Sequence, residues 1–181
     1  RQAGKLVLSH KQYVLKLMNK SNMQDCKPVT TPIAAHFKLS SEQCPTTEEG
    51  KRRMSHVPYS NAVGRLMYAM VYTRPDLAYA VSVVSRFMHN PGKEHWEAVK
   101  WILRYLKGSP NIGLVFDRQR ADPRGVVGYV DVDYGGDLDR RRSLSFYIFT
   151  LCGSAISWYS SLQPIAALST IEAEYIAATE G

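Results

Sequence analysis

Gly128-Tyr129-Val130-Asp131-Val132-Asp133-Tyr134-Gly135-Gly136-Asp137-Leu138-Asp139-Arg140-Arg141-Arg142-Ser143 is the stretch from which the fold is read. Alternation over Val127, Tyr129, Asp131 and Asp133 predicts a β-strand whose one face passes from apolar to acidic at its end. The glycine pair then turns the chain. Arg140, Arg141 and Arg142 follow as an exposed basic cluster before an aromatic-rich run from Leu144 to Leu151. Acid at the end of an otherwise buried strand is costly unless its charge is compensated. A divalent metal would compensate it.

A second acidic signal lies downstream. Ser169 and Glu172 have the S-x-x-E spacing of a capping box, which predicts a helix start. Ile171, Tyr175 and Ala178 then fall at i, i+4 and i+7, the expected core stripe of that helix. Glu172 has an ordinary role as a cap, whereas Glu174 has no local partner. Asp131 and Glu174 therefore read as two members of a carboxylate cluster that holds metal ions. Between the two signals, strands are expected near 126–133, 143–151 and 154–160, an antiparallel meander followed by the capped helix. Asp133 and Asp137 have a second, plain reading as turn and strand-end residues.

Working back from this region, Asp117 to Gly125 is polar and marks the best domain boundary, with a strand expected at 112–116 before it. Three helices are expected upstream. The first carries Tyr59, Val63, Leu66, Met67 and Met70. Thr73-Arg74-Pro75-Asp76 breaks and restarts the chain, Pro75 suiting a first helical turn and Asp76 the positive helix end. The second carries Leu77, Ala80, Val81, Val84, Phe87 and Met88. The third runs from about 93 to 107 and is closed by Gly108 and Pro110. It has a core stripe of Trp96, Val99, Leu103 and Leu106, and a basic one of Lys93, Lys100, Arg104 and Lys107. On the residues alone the basic stripe is a solvated face. Further back, 26–32 must be extended through its two prolines, and residues 40–56 form a polar surface excursion. His10 to Lys20 shows helical spacing after a short strand candidate at 5–9.

Composition agrees with a globular chain. It has 181 residues, 45% of them hydrophobic, enough to bury a core in one or two domains. Basic residues outnumber acidic ones 23 to 16, a formal charge of +7, which makes nucleic acid a candidate partner. No run approaches the length of a membrane span, and no secretory leader is present, so no membrane role and an intracellular location are expected. The start at Arg1 reads as a cut from something longer. Cys26, Cys44 and Cys152 lack C-x-x-C spacing and read as reduced thiols. The histidines His36, His56, His89 and His95 are scattered without ligand spacing and read as structural or surface residues.

The strand motif, Gly153-Ser154-Ala155-Ile156-Ser157-Trp158, Ala167-Leu168-Ser169-Thr170 and Glu172-Ala173-Glu174-Tyr175 resemble the ribonuclease H domain of copia-type LTR retrotransposon Pol polyproteins. Pro58-Tyr59-Ser60-Asn61-Ala62-Val63-Gly64-Arg65-Leu66-Met67-Tyr68, Thr73-Arg74-Pro75-Asp76 and His95-Trp96-Glu97-Ala98-Val99-Lys100 resemble the same polyprotein's reverse transcriptase. The blocks stand in the family's order over nearly the whole chain. The resemblance implies an α+β fold: a helical thumb/connection region of a reverse transcriptase over 1–117, then a truncated ribonuclease H-like sheet with one helix over 118–181. It implies an enzyme that copies RNA into DNA and hydrolyses the RNA strand of RNA–DNA hybrids with paired Mg2+ ions. Asp131 matches the family's first ligand aspartate and Glu174 the helix glutamate, both as catalytic metal ligands.

The resemblance further implies that Lys93, Lys100, Arg104, Lys107, Arg140, Arg141 and Arg142 meet phosphates of hybrid and template. The partners would be those nucleic acids and the remainder of the Pol polyprotein. For an intact element the location would be cytoplasmic, in virus-like particles. The family's Tyr-x-Asp-Asp motif would precede Arg1 and its later metal ligands would follow Gly181, so this piece is expected to be inactive alone. The alternative is a non-catalytic nucleic-acid-binding relic of a decayed element. Two departures favour a relaxed sequence. Leu144-Ser145-Phe146-Tyr147 stands where a Thr-Ser-Gly-Tyr run is common, losing a glycine where φ > 0 is expected to be needed. Tyr159 stands where a lysine commonly follows Ser157-Trp158.

Overall fold

The computed structural model describes residues 4–123 and 125–180. Its α-helices and small antiparallel sheets form two compact units. One comprises residues 10–112 and the other residues 1–9 with 113–181. The division falls before Gly113, and not after Asp117 where polarity alone would place it, because strand β1 (Lys5–Leu8) pairs antiparallel with β2 (Leu114–Asp117). Backbone pairing of this kind is invisible to a composition scan.

In the sheet-bearing unit, β3 (Val127–Asp133), β4 (Leu144–Leu151) and β5 (Ser154–Leu162) form an antiparallel meander in that order. The expected strands are present to within a residue or two. Asp131 pairs with Phe146 and Asp133 with Leu144. Phe146 holds an ordinary strand conformation, since the positive φ angles of non-glycine residues are at Asn22, Arg141 and Cys152. The glycine expected to be missed there is not needed. Cys152 and Gly153, at φ 51° and 75°, instead make the two-residue turn between β4 and β5, whose hand matches the strand twist. Helix α6 (Thr170–Glu180) starts as the spacing predicts: Glu172 N–H donates to Ser169 Oγ at 3.1 Å, and Leu168 N–H donates to Glu172 Oε2 at 2.7 Å.

The buried stripe of α6 is not the expected one. Ala173 and Ala177 face the sheet, whereas Ile171 and Tyr175 are 78% and 73% exposed and Ala178 is exposed. Gln163 explains the rotation. Its fully buried amide donates to Ala173 O at 2.8 Å and to Ser145 Oγ at 3.1 Å, which draws the helix backbone close enough that only methyl groups fit beneath it.

In the helical unit, α1 (Lys11–Lys20), α3 (Tyr59–Thr73), α4 (Ala78–Ser85) and α5 (Lys93–Gly108) enclose one core. Val63, Leu66, Ala69, Leu77, Val84, Val99, Ile102, Leu103 and Leu106 are buried in it. The 3.6-residue spacing read from the sequence holds, except that Met67 and Met88 turn outward. The polar excursion carries α2 (Glu48–Ser55), capped by Thr47 Oγ1, which accepts from Gly50 N–H at 3.1 Å. Tyr59 reaches from α3 to donate its hydroxyl to Val84 O at 2.8 Å, and burial pushes its pKa well above the usual tyrosine range.

Three polar groups are fully enclosed by this unit or nearly so. His95 is stacked on Phe87, with centroids 3.9 Å apart. Its Nδ1 accepts from Gly92 N–H at 2.7 Å, which assigns the ring proton to Nε2, 3.2 Å from Ser40 O. Gly92 is required at that turn because a Cβ would lie 1.8 Å from Gln43 O. Thr73 is buried beside His10. Arg74 has no solvent exposure, and its donors are matched: Nε and Nη2 donate to Asp76 at 2.9 and 2.7 Å, Nη1 to Ser109 O at 2.9 Å, and Nη2 to Ser109 Oγ at 2.8 Å. Tyr105 donates to the same Asp76 carboxylate at 2.8 Å, below the guanidinium.

Removing Arg74 leaves Asp76 without its cation and opens a hole where α3, α4 and the end of α5 meet. An Arg74→Ala variant is expected to lose roughly 3–5 kcal/mol of stability, read from urea unfolding. A loss below about 1 kcal/mol would show that the cluster is incidental.

The β1–β2 pair carries a pH signature. Lys5 Nζ stands 2.9 Å from Asp117 Oδ2, and this hydrogen bond, with that from Gln119 N–H, holds the Asp117 carboxyl below its usual pKa. A depressed folded pKa contributes stability above the unfolded value, about 3.9 for aspartate, and that contribution is lost as pH falls through the folded one. Amide protection of β1 is therefore expected to fall below about pH 4. In an Asp117→Asn variant this acid step should vanish, and its persistence would assign it to another group.

Candidate functional site

The acidic strand end is built on β3. Asp131 is exposed, and its Oδ1 accepts from the N–H of Val132, its own neighbour, at 2.9 Å. Asp133 lies against Gly136, where a Cβ would come within 2.0 Å of its Oδ2. Asp137 is 3% exposed, and its Oδ1 accepts from Asp139 N–H at 3.3 Å. The Asp137 carboxylate thus has turn-building work, the plainer of the readings the sequence allows.

Glu174 is exposed on α6. The Gln163 bridge ties that helix to the sheet through Ser145, and successive strand residues face opposite sides. Asp131 stands opposite Phe146, the strand neighbour of Ser145. Among the described residues, no three His, Cys, Asp or Glu side chains converge as metal ligands. Magnesium takes six oxygens in near-octahedral geometry, and Asp131 and Glu174, exposed on two elements, do not by themselves make such a site.

The basic face of α5 has an unexpected use. Arg104 Nε donates to Lys27 O at 2.7 Å while its guanidinium stacks over Trp101, 5.0 Å from the ring centre. Lys107 Nζ donates to Cys26 O at 2.7 Å, and Trp101 Nε1 donates to Thr31 O at 2.9 Å. Lys100 pairs with Glu97. This face therefore clamps the extended segment 26–31 along the helix, and Lys93 stays exposed in the first turn. The proline-rich segment cannot supply its own backbone pairing, so the helix satisfies its carbonyls. Arg140 and Arg141 are exposed and Arg142 is half-buried.

Two features escaped the sequence reading. One is the buried Arg74 cluster, which the Thr-Arg-Pro-Asp run signals only if arginine is allowed to be core. The other is a groove of about 540 Å³ between α5 and residues 36–39, lined by His36, Phe37, Trp101 and Arg104 among others. Its rings contact edge to face, His36 and Phe37 lying 5.5 and 5.7 Å from Trp101.

Comparison with known proteins decides the family. A retrovirus-related Pol polyprotein from transposon TNT 1-94 of Nicotiana tabacum is 58% identical over 180 residues, 99% of this chain. The chain belongs to the copia-type, retrovirus-related Pol polyproteins of transposons. The Pol polyprotein from transposon RE1 of Arabidopsis thaliana is 41% identical over 94% of the chain. The chain spans 13% and 11% of the length of these two polyproteins. A secreted RxLR effector protein of Plasmopara viticola is 50% identical over 127 residues, 70% of this chain and 88% of that protein. No protein-family model and no solved structure matches the chain.

The clamp is testable apart from any nucleic acid. Replacing Arg104 and Lys107 together by glutamine removes two charge-assisted hydrogen bonds, each worth about 1.5–3 kcal/mol. The expected result is faster limited proteolysis within 26–31, with α5 still folded by circular dichroism. Unchanged cleavage would mean that other contacts hold the segment.

Proposed function

We propose that the chain is the part of a transposon Pol polyprotein in which the C-terminal helices of the reverse transcriptase lead into the first half of a ribonuclease H domain. In the whole polyprotein it would serve an enzyme that copies RNA into DNA and hydrolyses the RNA strand of the hybrid. The observation that carries this reading is the β3-β4-β5 antiparallel meander followed by the capped helix α6, with Asp131 in the first strand. That order of elements, with the acidic strand preceding an acidic helix, is what the family resemblance implies for a ribonuclease H start. The Pol relatives, matching over nearly the whole chain, support it.

Magnesium in such enzymes activates water and stabilises the leaving oxygen. Asp131 and Glu174 would be this chain's ligands to it, and they are too few to complete the shell. No step is assigned to this chain alone. Its own contribution is positional: exposed cations meet the phosphates of a hybrid or template, which is recognised by backbone and 2′-hydroxyl rather than by base sequence. The remaining ligands and the polymerase site would come from the rest of the polyprotein. The location proposed is cytoplasmic, within particles of the element. Among the described residues, no helix is long and apolar enough to cross a membrane.

One observation favours a second reading, a stand-alone nucleic-acid-binding module without catalysis, the relic of a decayed element. The Plasmopara viticola relative is a short protein of which this segment matches 88%.

Both readings meet in one assay. The purified chain, given an RNA–DNA hybrid and magnesium, is expected to bind it weakly and cleave nothing. With about three phosphates neutralised, affinity should fall roughly 40-fold between 50 and 200 mM salt. Cleavage that disappears in an Asp131→Asn variant would overturn the proposed inactivity of the isolated chain. Absence of any binding at low salt would overturn both readings.

A further inference from the structure

The cations expected to meet nucleic acid are not equally available. Lys100, Arg104 and Lys107 are engaged with acceptors of the chain itself. The side chains of Arg140, Arg141 and Arg142 make no hydrogen bond or ion pair among the described residues. They stand on the loop joining β3 to β4, residues 134–143, whose backbone is held from within. Asp137 donates its N–H to Arg142 O at 3.0 Å, and its carbonyl accepts from Arg141 N–H at 2.8 Å. Its buried carboxylate accepts from Asp139 N–H. Ser143, 1% exposed, accepts from Gly135 N–H at 3.1 Å through Oγ. Arg141 sits at φ 56°, a left-handed conformation that a long side chain adopts only when its surroundings impose it.

We propose that this loop is a preorganised phosphate-binding turn, with Arg140 and Arg141 as its contact residues and buried Asp137 as the positioning residue that sets their spacing. The inference rests on the nucleic-acid reading above and narrows it from a broad basic surface to one turn. Guanidinium groups bind phosphate oxygens through paired N–H donors, a geometry that rewards a fixed backbone. Formal charge on the loop also decides how it works. Asp133, Asp137 and Asp139 balance the three arginines at a distance, so the turn steers little and acts on contact. Asp133 Oδ2 lies against Gly136 and Asp137 is buried, whereas Arg140 and Arg141 are exposed. A phosphodiester backbone is favoured over an acidic protein because the whole chain carries +7 and belongs to the Pol family.

The test measures binding of a labelled RNA–DNA hybrid against salt. An Arg140→Gln, Arg141→Asn double variant keeps a residue that tolerates the left-handed conformation. It is expected to bind about tenfold more weakly, with a salt slope reduced by about 1.8, two phosphate contacts' worth. The Arg104→Gln, Lys107→Gln double variant should leave the slope unchanged. Asp137→Ala should weaken binding with both arginines in place, and Asp137→Asn, which keeps the Oδ1 acceptor, should restore it. Hybrid binding by the wild type with an unchanged slope in the Arg140/Arg141 variant overturns this inference alone and leaves the nucleic-acid reading standing. Wild-type affinity in Asp137→Ala overturns the positioning role. No hybrid binding by the wild type overturns the nucleic-acid reading and this inference with it. Equal capture of polyglutamate, lost in the same arginine variant, would overturn the phosphate assignment in favour of an acidic partner.

Discussion

A guanidinium sealed from water is the constraint on which the helical unit depends. Arg74 closes α3, faces the turn that opens α4, and bonds the last residues of α5 through Ser109. A buried cation is tolerable only when its donors are met, and here Asp76, Ser109 and the Tyr105 ring meet them together. The arrangement fixes where three helices end or begin. It also holds Tyr105, whose pKa is raised first by burial and then by its bond to Asp76. Pro75 adds a stop that no side-chain rearrangement can undo, because it lacks the N–H that would continue α3.

Around that anchor, polar residues that look functional in sequence are absorbed into backbone satisfaction. The extended, proline-containing segment 26–31 has carbonyls and no strand partner, so Trp101, Arg104 and Lys107 supply donors along α5. His95 serves the turn at Gly92 in the opposite sense, its Nδ1 accepting from Gly92 N–H. In the sheet-bearing unit, Gln163 and Asp137 play this part for α6 and for the loop 134–143. What is left over for a ligand is a smaller set: the exposed arginines of that loop, Lys93, and the carboxylates of Asp131 and Glu174. The division matters for function, because a cation engaged with a carbonyl of its own chain is fixed in place and has fewer donors left for a phosphate.

The sheet places acid and base close together along the chain. Asp131 stands in β3, and Arg140 to Arg142 follow on the turn that leaves it, so one hairpin carries a carboxylate and an arginine cluster. Helix α6 is held against the sheet by its alanines and leaves Ile171 and Tyr175 outward. Large apolar side chains on the outer face of a capped helix are poorly hydrated, a condition that the rest of a polyprotein would relieve by covering them.

The sequence by itself determined the elements of this chain. Alternation over 127–133, the Ser169–Glu172 cap, the Pro75 break and the 3.6-residue stripes of α3, α4 and α5 are local, and each is enforced by neighbours within a turn or a pleat. The acidic strand end and the arginine cluster were legible for the same reason, as residue types at a fixed spacing. Tertiary structure alone decided which face each element buries and which charges remain free. Periodicity reports that large residues share a face of α6, yet the Gln163 amide bound to the Ala173 carbonyl turns the alanine face inward. Spacing places four cations along α5, yet carbonyls 77 and 81 residues away in sequence engage two of them. The pairing of β1 with β2 and the burial of Arg74 belong to the same class, because a partner distant in the chain leaves no mark on the local pattern.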